Sequence, residues 1–158
     1  MRAYLPKKAK HGLGLFATRV INEGEVILAF AGPIISYQQV LRKRTPDNAF
    51  QISRNRYVDL RKPGVLANHS CEPNAGVTPD LILIALKKIS KDEEITYDYS
   101  ACMDKDTVCD FKCECGSKTC RKTIRGFATL PKKKQLYYRV RQVIQKFLIK
   151  EQKRKIKN

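Results

Sequence analysis

No stretch of the chain approaches the roughly 20 consecutive apolar residues that a membrane-crossing helix needs. The basic start Met1–Lys10 is not followed by the apolar core of a secretory signal, so the expectation is a soluble, intracellular protein. Acidic residues are also scarce. Fifteen Asp and Glu face 32 Lys and Arg, a net charge of +17, which favours an acidic partner such as nucleic acid, ribosome or chromatin and bears on association rather than on fold. At 158 residues the chain can bury a real core but has no room for a second full domain, and it shows no internal repeat. Six cysteines in a chain without a secretory signal argue for free thiols or metal rather than a disulfide frame. Two enzyme signatures are missing as well: Gly12-Leu13-Gly14 lacks the third glycine of a dinucleotide fingerprint, and Ser70 does not stand in a G-x-S-x-G elbow.

Short apolar runs bounded by turn residues make up most of the chain. Val26–Phe30, Ala49–Ser53, Arg56–Leu60, Leu81–Leu86 and Glu94–Tyr99 read as strands, separated by turns such as Asn22–Glu25 and Ser90–Glu93. Ser36-Tyr37-Gln38-Gln39 has the form of a capping box and opens a helix to about Arg44. Many short strands with few helices predict a mostly β domain. The composition changes at Pro131. From there to Asn158 are eleven Lys or Arg and one Glu, while Leu136, Val140, Val143, Ile144, Phe147 and Leu148 recur at helical spacing. That pattern predicts a basic amphipathic helix, which either packs its apolar face on the domain or docks on nucleic acid or a membrane surface.

Chemistry concentrates at Asn68-His69-Ser70-Cys71-Glu72-Pro73-Asn74, in the middle of the domain. Turn propensity accounts for Asn, Ser and Pro here but leaves His69 and Cys71 unused. Farther on, Cys113, Cys115 and Cys120 form a C-x-C-x4-C cluster, and three thiolates need a fourth ligand to close a tetrahedral zinc site. Cys109, four residues earlier, is one available ligand.

Asn68–Asn74, followed by Glu93-Glu94-Ile95-Thr96-Tyr97-Asp98-Tyr99 and then by Cys113–Cys120, resembles a SET-domain protein lysine methyltransferase with its post-SET zinc segment. The likeness runs from about His11 to Cys120 and implies a SET-type fold over residues 1–108, a zinc segment at 109–125 and a basic helical tail at 131–158. It implies S-adenosylmethionine as methyl donor, contacted by backbone at Gly12, Leu13 and Gly14 and by Asn68, His69 and Tyr99. Structural Zn2+ would be held by Cys113, Cys115 and Cys120, with Cys71 as the fourth ligand. Tyr99 matches the tyrosine whose hydroxyl sits near the transferring methyl. Tyr97 matches the Phe-or-Tyr position that limits how many methyls are added, and tyrosine there implies monomethylation, with dimethylation as the upper limit.

The chain departs from the family pattern in three places. Phe30 stands where a hydroxylated aromatic is common, the stretch from Asp59 to Asn68 is about three residues short and lacks an Arg-Phe pair, and the residues ahead of His11 hold none of the cysteines of a pre-SET segment. The expected substrate is a lysine of a histone or another basic, nucleic-acid-associated protein. A basic tail would be repelled by the enzyme's own charge unless Asp80, Asp92, Glu93, Glu94, Asp104, Asp106, Asp110 and Glu114 form an acidic groove. The place of action is then chromatin, of the same cell or of a host reached from a bacterial or viral source. The alternative is a catalytically inactive SET-like zinc module that binds chromatin or RNA through its tail.

Overall fold

The computed structural model describes residues 2–45, 48–104 and 111–149. In chain order its strands are β1 Tyr4–Ala9, β2 Gly12–Ala17, β3 Val26–Ala29, β4 Ile34–Ile35, β5 Ala49–Ser53, β6 Arg56–Asp59, β7 Asn68–His69, β8 Ala75–Val77, β9 Ile82–Ala85, β10 Glu94–Tyr97, β11 Phe111–Lys112 and β12 Thr123–Ile124. The helices are α1 Tyr37–Leu41 and α2 Lys132–Val140. Among the described residues, no helix is long and apolar enough to cross a membrane.

The strands form small sheets ordered β1-β2-β10-β7, β3-β9-β8, β4-β6-β5 and β11-β12. The first positions the site. β10 pairs antiparallel with β2, Ile95 opposite Leu15, and parallel with β7, Thr96 opposite Asn68 and Tyr97 opposite His69. Leu15 and Ile95 are fully buried in a core shared with Ile21, Leu83 and Ile89; burying each such side chain stabilises the fold by about 1.5–3 kcal/mol.

α1 starts as its sequence dictates: Ser36 Oγ accepts from the Gln39 N–H while Gln39 Oε1 accepts from the Ser36 N–H. It ends at Leu41, earlier than the expected Arg44. Gly32 lies where β6 passes so closely that a Cβ there would sit 1.9 Å from the Asp59 carbonyl oxygen.

The C-terminal region is not one amphipathic helix. α2 ends at Val140, Gln142 takes a positive φ of 54°, and a second helical turn begins at residue 146. This break rotates the apolar residues apart. Leu136 and Val140 are exposed, whereas Tyr138, Val143, Ile144 and Leu148 join the main core. Val143 lies against β8 so tightly that a Cβ on Gly76 would come within 2.8 Å of it. Gln145 Nε2 donates to the Thr78 carbonyl, and Lys146 and Arg141 pair with Asp80 and Glu23. Residues 131–149 are therefore packed on the domain; residues 150–158 lie outside the described chain.

Candidate active site and metal centre

The parallel register of β7 with β10 sets Asn68 and His69 beside Thr96 and Tyr97, and buried Asn74 fastens the end of that loop. Asn74 Nδ2 donates to the Glu94 carbonyl and to Glu93, while its Oδ1 accepts from the Thr96 N–H at 2.9 Å. Asn68 Nδ2 donates to the Leu13 carbonyl at 3.2 Å and to Glu94 Oε1 at 2.7 Å. The Gly12-Leu13-Gly14 backbone thus lies against Asn68. A Cβ at Gly14 would meet Asn68 Nδ2 at 3.0 Å, and Gly12 uses the positive φ of 81° that glycine tolerates.

Tyr99 opens a 3-10 turn whose N-cap is Asp98. Its backbone N–H donates to His69 Nδ1 at 3.2 Å, and its hydroxyl donates to the Ala67 carbonyl at 3.0 Å. Ring contacts then run in series, His69 to Tyr99 at 5.2 Å, Tyr99 to Tyr97 at 4.8 Å, and Tyr97 to Phe50 and Phe30 at 6.4 and 5.5 Å. Both tyrosines line a cavity of about 730 Å³, together with His11, Asn68, Cys115, Tyr37, Phe50 and Tyr57. Burial pushes the Tyr97 phenol well above its ordinary range, so it stays neutral. Burial does the same to Cys102, which also lines the cavity.

Cys71, Cys113, Cys115 and Cys120 come near one another in the structure, with one addition. Cys113 Sγ lies 3.7 Å from both Cys71 Sγ and Cys120 Sγ, and the Cys71 N–H donates to Cys115 Sγ at 3.4 Å. A tetrahedron of thiolates at about 2.3 Å from zinc has edges of roughly 3.8 Å, so these spacings fit the ion. The donor atoms that all lie within 4.8 Å of one another are those of Cys71, Cys113, Cys115 and His69, without Cys120, which makes His69 a rival to Cys120 for the fourth place. Its own bonds argue otherwise. Because Nδ1 accepts from the Tyr99 N–H, the proton sits on Nε2, 3.3 Å from Cys71 Sγ, where it donates to sulfur and offers no lone pair to a metal. Burial lowers His69 to about 4, which keeps the ring neutral. Burial also raises Cys113 to about 12; at Cys115 burial is outweighed by hydrogen bonds from Ser117 and the Cys71 N–H, which bring it down to about 6 and preform one thiolate. Cys109 lies outside the described residues.

The anticipated acidic groove is absent among the described residues. Asp80 pairs with Lys146, Asp92 with Lys7, Glu93 binds Asn74 and the Ser90 N–H, and Glu94 holds Asn68. Asp104 is buried on Gln51, and only Glu114, paired with Lys112, lines the cavity. Asp106 and Asp110 lie outside the described residues.

One buried polar centre was not foreseen. The Asp98 carboxylate, wholly inaccessible, accepts from Arg121 Nη2 at 2.6 Å and Nη1 at 3.0 Å, from the Ser100 N–H at 3.1 Å and from the Tyr138 hydroxyl at 2.8 Å. The only sequence signal for it was an acid between two motif tyrosines and an arginine directly after the last cysteine.

Residues 12–100 match the SET domain family model. The chain is 36% identical over 129 residues to the histone-lysine N-methyltransferase trithorax of Drosophila virilis, covering 71% of this chain and 3% of that protein. It is 32% identical over 133 residues to human histone-lysine N-methyltransferase 2B, covering 73% of this chain and 5% of that protein. It thus spans only a few per cent of the length of these relatives. Among solved structures, the methyltransferase domain of human histone-lysine N-methyltransferase SETMAR superposes with a TM-score of 0.61 at 27% identity, covering 76% of this chain and 56% of that one. With strands, cavity and cysteine cluster in the arrangement described and the family model matched over more than half of its residues, the chain belongs to the SET-domain family.

Proposed function

We propose that this protein is a protein-lysine N-methyltransferase that uses S-adenosylmethionine and carries one structural zinc ion. The observation that carries the reading is Tyr99, which lines a cavity together with Asn68, His69, Tyr97 and Phe50 and touches the rings of His69 and Tyr97. S-adenosylmethionine, when bound, supplies an electrophilic methyl group on a sulfonium. The backbone of Gly12, Leu13 and Gly14 and the side chain of Asn68 would hold it, His69 contributing through its backbone because both its ring nitrogens are engaged.

The protein needs no nucleophile of its own, since the acceptor amine is one. It must align amine and methyl, exclude water and favour the uncharged amine; alignment alone can remove several kcal/mol of barrier. A lysine starts near pKa 10.4, and the aromatic lining of Phe50 and Tyr97 lowers that value by desolvation. Tyr99 donates its hydroxyl proton to the Ala67 carbonyl, which holds the phenol oxygen in one orientation. It acts as an oriented acceptor, not as a base. Tyr97 adds a neutral hydroxyl to the lining, which supports monomethylation, dimethylation being the upper limit. Cys71, Cys113, Cys115 and Cys120 would hold zinc, with His69 donating to the Cys71 thiolate; the ion ties the central loop to the cysteine segment.

The relatives' names point to a histone, and the +17 charge favours a lysine in a protein already bound to nucleic acid, met on chromatin. Exposed Lys132, Lys133 and Arg139 on α2 support a nucleic-acid contact. Incubation with labelled donor and histones, free and on DNA, tests this, with product masses read for wild type and Tyr97→Phe. Wild type should add one methyl and the variant more. No transfer to any lysine by donor-loaded protein would refute the activity, and identical product states would remove Tyr97 from product control.

A further inference from the structure

We propose that Tyr138 is a positioning residue of the catalytic site, and that the segment from Pro131 to Ile149 thereby braces that site from outside its cavity. The inference rests on the methyltransferase reading above and extends it to a part of the chain beyond the family match, which ends at residue 100.

Three segments meet on one carboxylate. Asp98 stands between Tyr97 and Tyr99 and is wholly buried; Arg121, next to Cys120, clasps it with both terminal nitrogens. Tyr138, 1% exposed in the middle of α2, donates its hydroxyl to Asp98 Oδ2 at 2.8 Å. Burial pushes this phenol up, so the hydroxyl keeps its proton and remains a donor. The same helix sends Lys134 to the Cys71 carbonyl, while Gln135 anchors its start on the Leu130 carbonyl at 2.7 Å. α2 therefore touches both the acid between the catalytic tyrosines and the loop that bears a zinc ligand.

Loss of the Tyr138 hydroxyl leaves Asp98 Oδ2 with Arg121 alone. The carboxylate then turns toward the guanidinium, and two neighbours register the movement. One is the Ser100 N–H, which caps the Tyr99 turn on Asp98 Oδ1. The other is Arg121, whose backbone N–H donates to Cys71 Sγ at 3.4 Å. Because His69 Nδ1 accepts the Tyr99 N–H and lies 3.7 Å from Asp98 Oδ1, the orientation of Tyr99 follows. Packing alone would not require the hydroxyl; a phenylalanine would fill the same volume.

The test compares zinc-loaded wild type, Tyr138→Phe and, as a control, Tyr137→Phe at a residue that is 40% exposed. Amide exchange is read at Tyr99 and Ser100 against Ile95 in the preceding strand β10, together with kcat and KM. In Tyr138→Phe, exchange at Tyr99 and Ser100 should accelerate about tenfold with Ile95 unchanged. kcat should fall about tenfold with KM for the donor within about twofold, and the control should match wild type. Exchange at both amides within about twofold of wild type, or faster exchange with unchanged kcat, would overturn the proposal. Should Tyr138→Phe fail to fold, wild-type protein answers: the Tyr138 hydroxyl proton should give a resonance protected from exchange with water, and rapid exchange there would overturn it equally. Amide exchange needs no turnover, so a wild type that transfers no methyl would sink the methyltransferase reading while leaving the exchange result interpretable.

Discussion

Replacing Arg121 with alanine should cost this protein a large part of its stability. The carboxylate it serves is fully inaccessible, and its own side chain is 19% exposed. The substitution removes two charged hydrogen bonds to Asp98, at 2.6 and 3.0 Å, and a third to Ser100 Oγ at 3.1 Å. Asp98 keeps only the Tyr138 hydroxyl and the Ser100 N–H. Breaking a buried pair by deleting one partner costs about 3–5 kcal/mol. The lower end applies here, because the guanidinium edge touches solvent and water can enter the vacated space. About 3 kcal/mol is a large share of the 5–15 kcal/mol typical of a domain. At about 2–4 °C per kcal/mol for a chain of this size, the melting point should fall by roughly 6–12 °C. Arg121→Lys keeps the charge without the two-pronged geometry and should fall between. Denaturant unfolding of the zinc-saturated proteins, with unchanged slope, measures it. A loss below about 0.5 kcal/mol, the scale of an exposed ion pair, would refute the claim that Asp98 is a buried charge held by this arginine.

Other expectations follow from the same contacts. Gly32→Ala should lose about 3 kcal/mol or more, since its Cβ would collide with the Asp59 backbone; Gly24→Ala, with open space at a positive φ of 80°, should lose only about 1 kcal/mol in the same unfolding assay. Metal analysis should find a single zinc ion per chain, and stripping it should abolish methyl transfer and loosen residues 111–124; a fully active metal-free protein would contradict the ligand set. Burial lowers His69 from its ordinary 6.5 to about 4. The unfolded chain then binds more protons than the folded one between these values, so stability is complete above pH 6.5 and declines as pH falls toward 4, by roughly 3 kcal/mol in all. His69→Gln cannot titrate there, and the wild-type curve minus the variant curve should carry that slope; a flat difference would refute it.

Much of the strand pattern was legible because alternating or continuous apolar runs are local. β5, β9 and β10 fall where the runs lie, and the capping box starts α1 at Tyr37. β1 was obscured by Pro6, Lys7 and Lys8, which interrupt any apolar alternation, and β7 is two residues long, defined only by a partner far along the chain. Of the site, the motifs made legible which residues share one region: the loop, the two tyrosines and Cys71, Cys113 and Cys115. Helical spacing after Pro131 misled because it cannot report a break at Gln142. The acidic residues misled because composition does not say which lysine or amide each one already holds. Tyr138 was invisible for the opposite reason, since a lone tyrosine in a basic helix carries no local sign that its partner is Asp98.

The most direct test is single-turnover methyl transfer by Tyr99→Phe with donor binding measured alongside. The ring contacts to His69 and Tyr97 remain in this variant, and only the hydroxyl on the Ala67 carbonyl is lost. Donor affinity should change little, whereas the rate should fall by about 10²–10³, the scale for removing one preorganised polar group at a reacting centre. A variant that binds donor and transfers methyl at close to the wild-type rate would contradict the account.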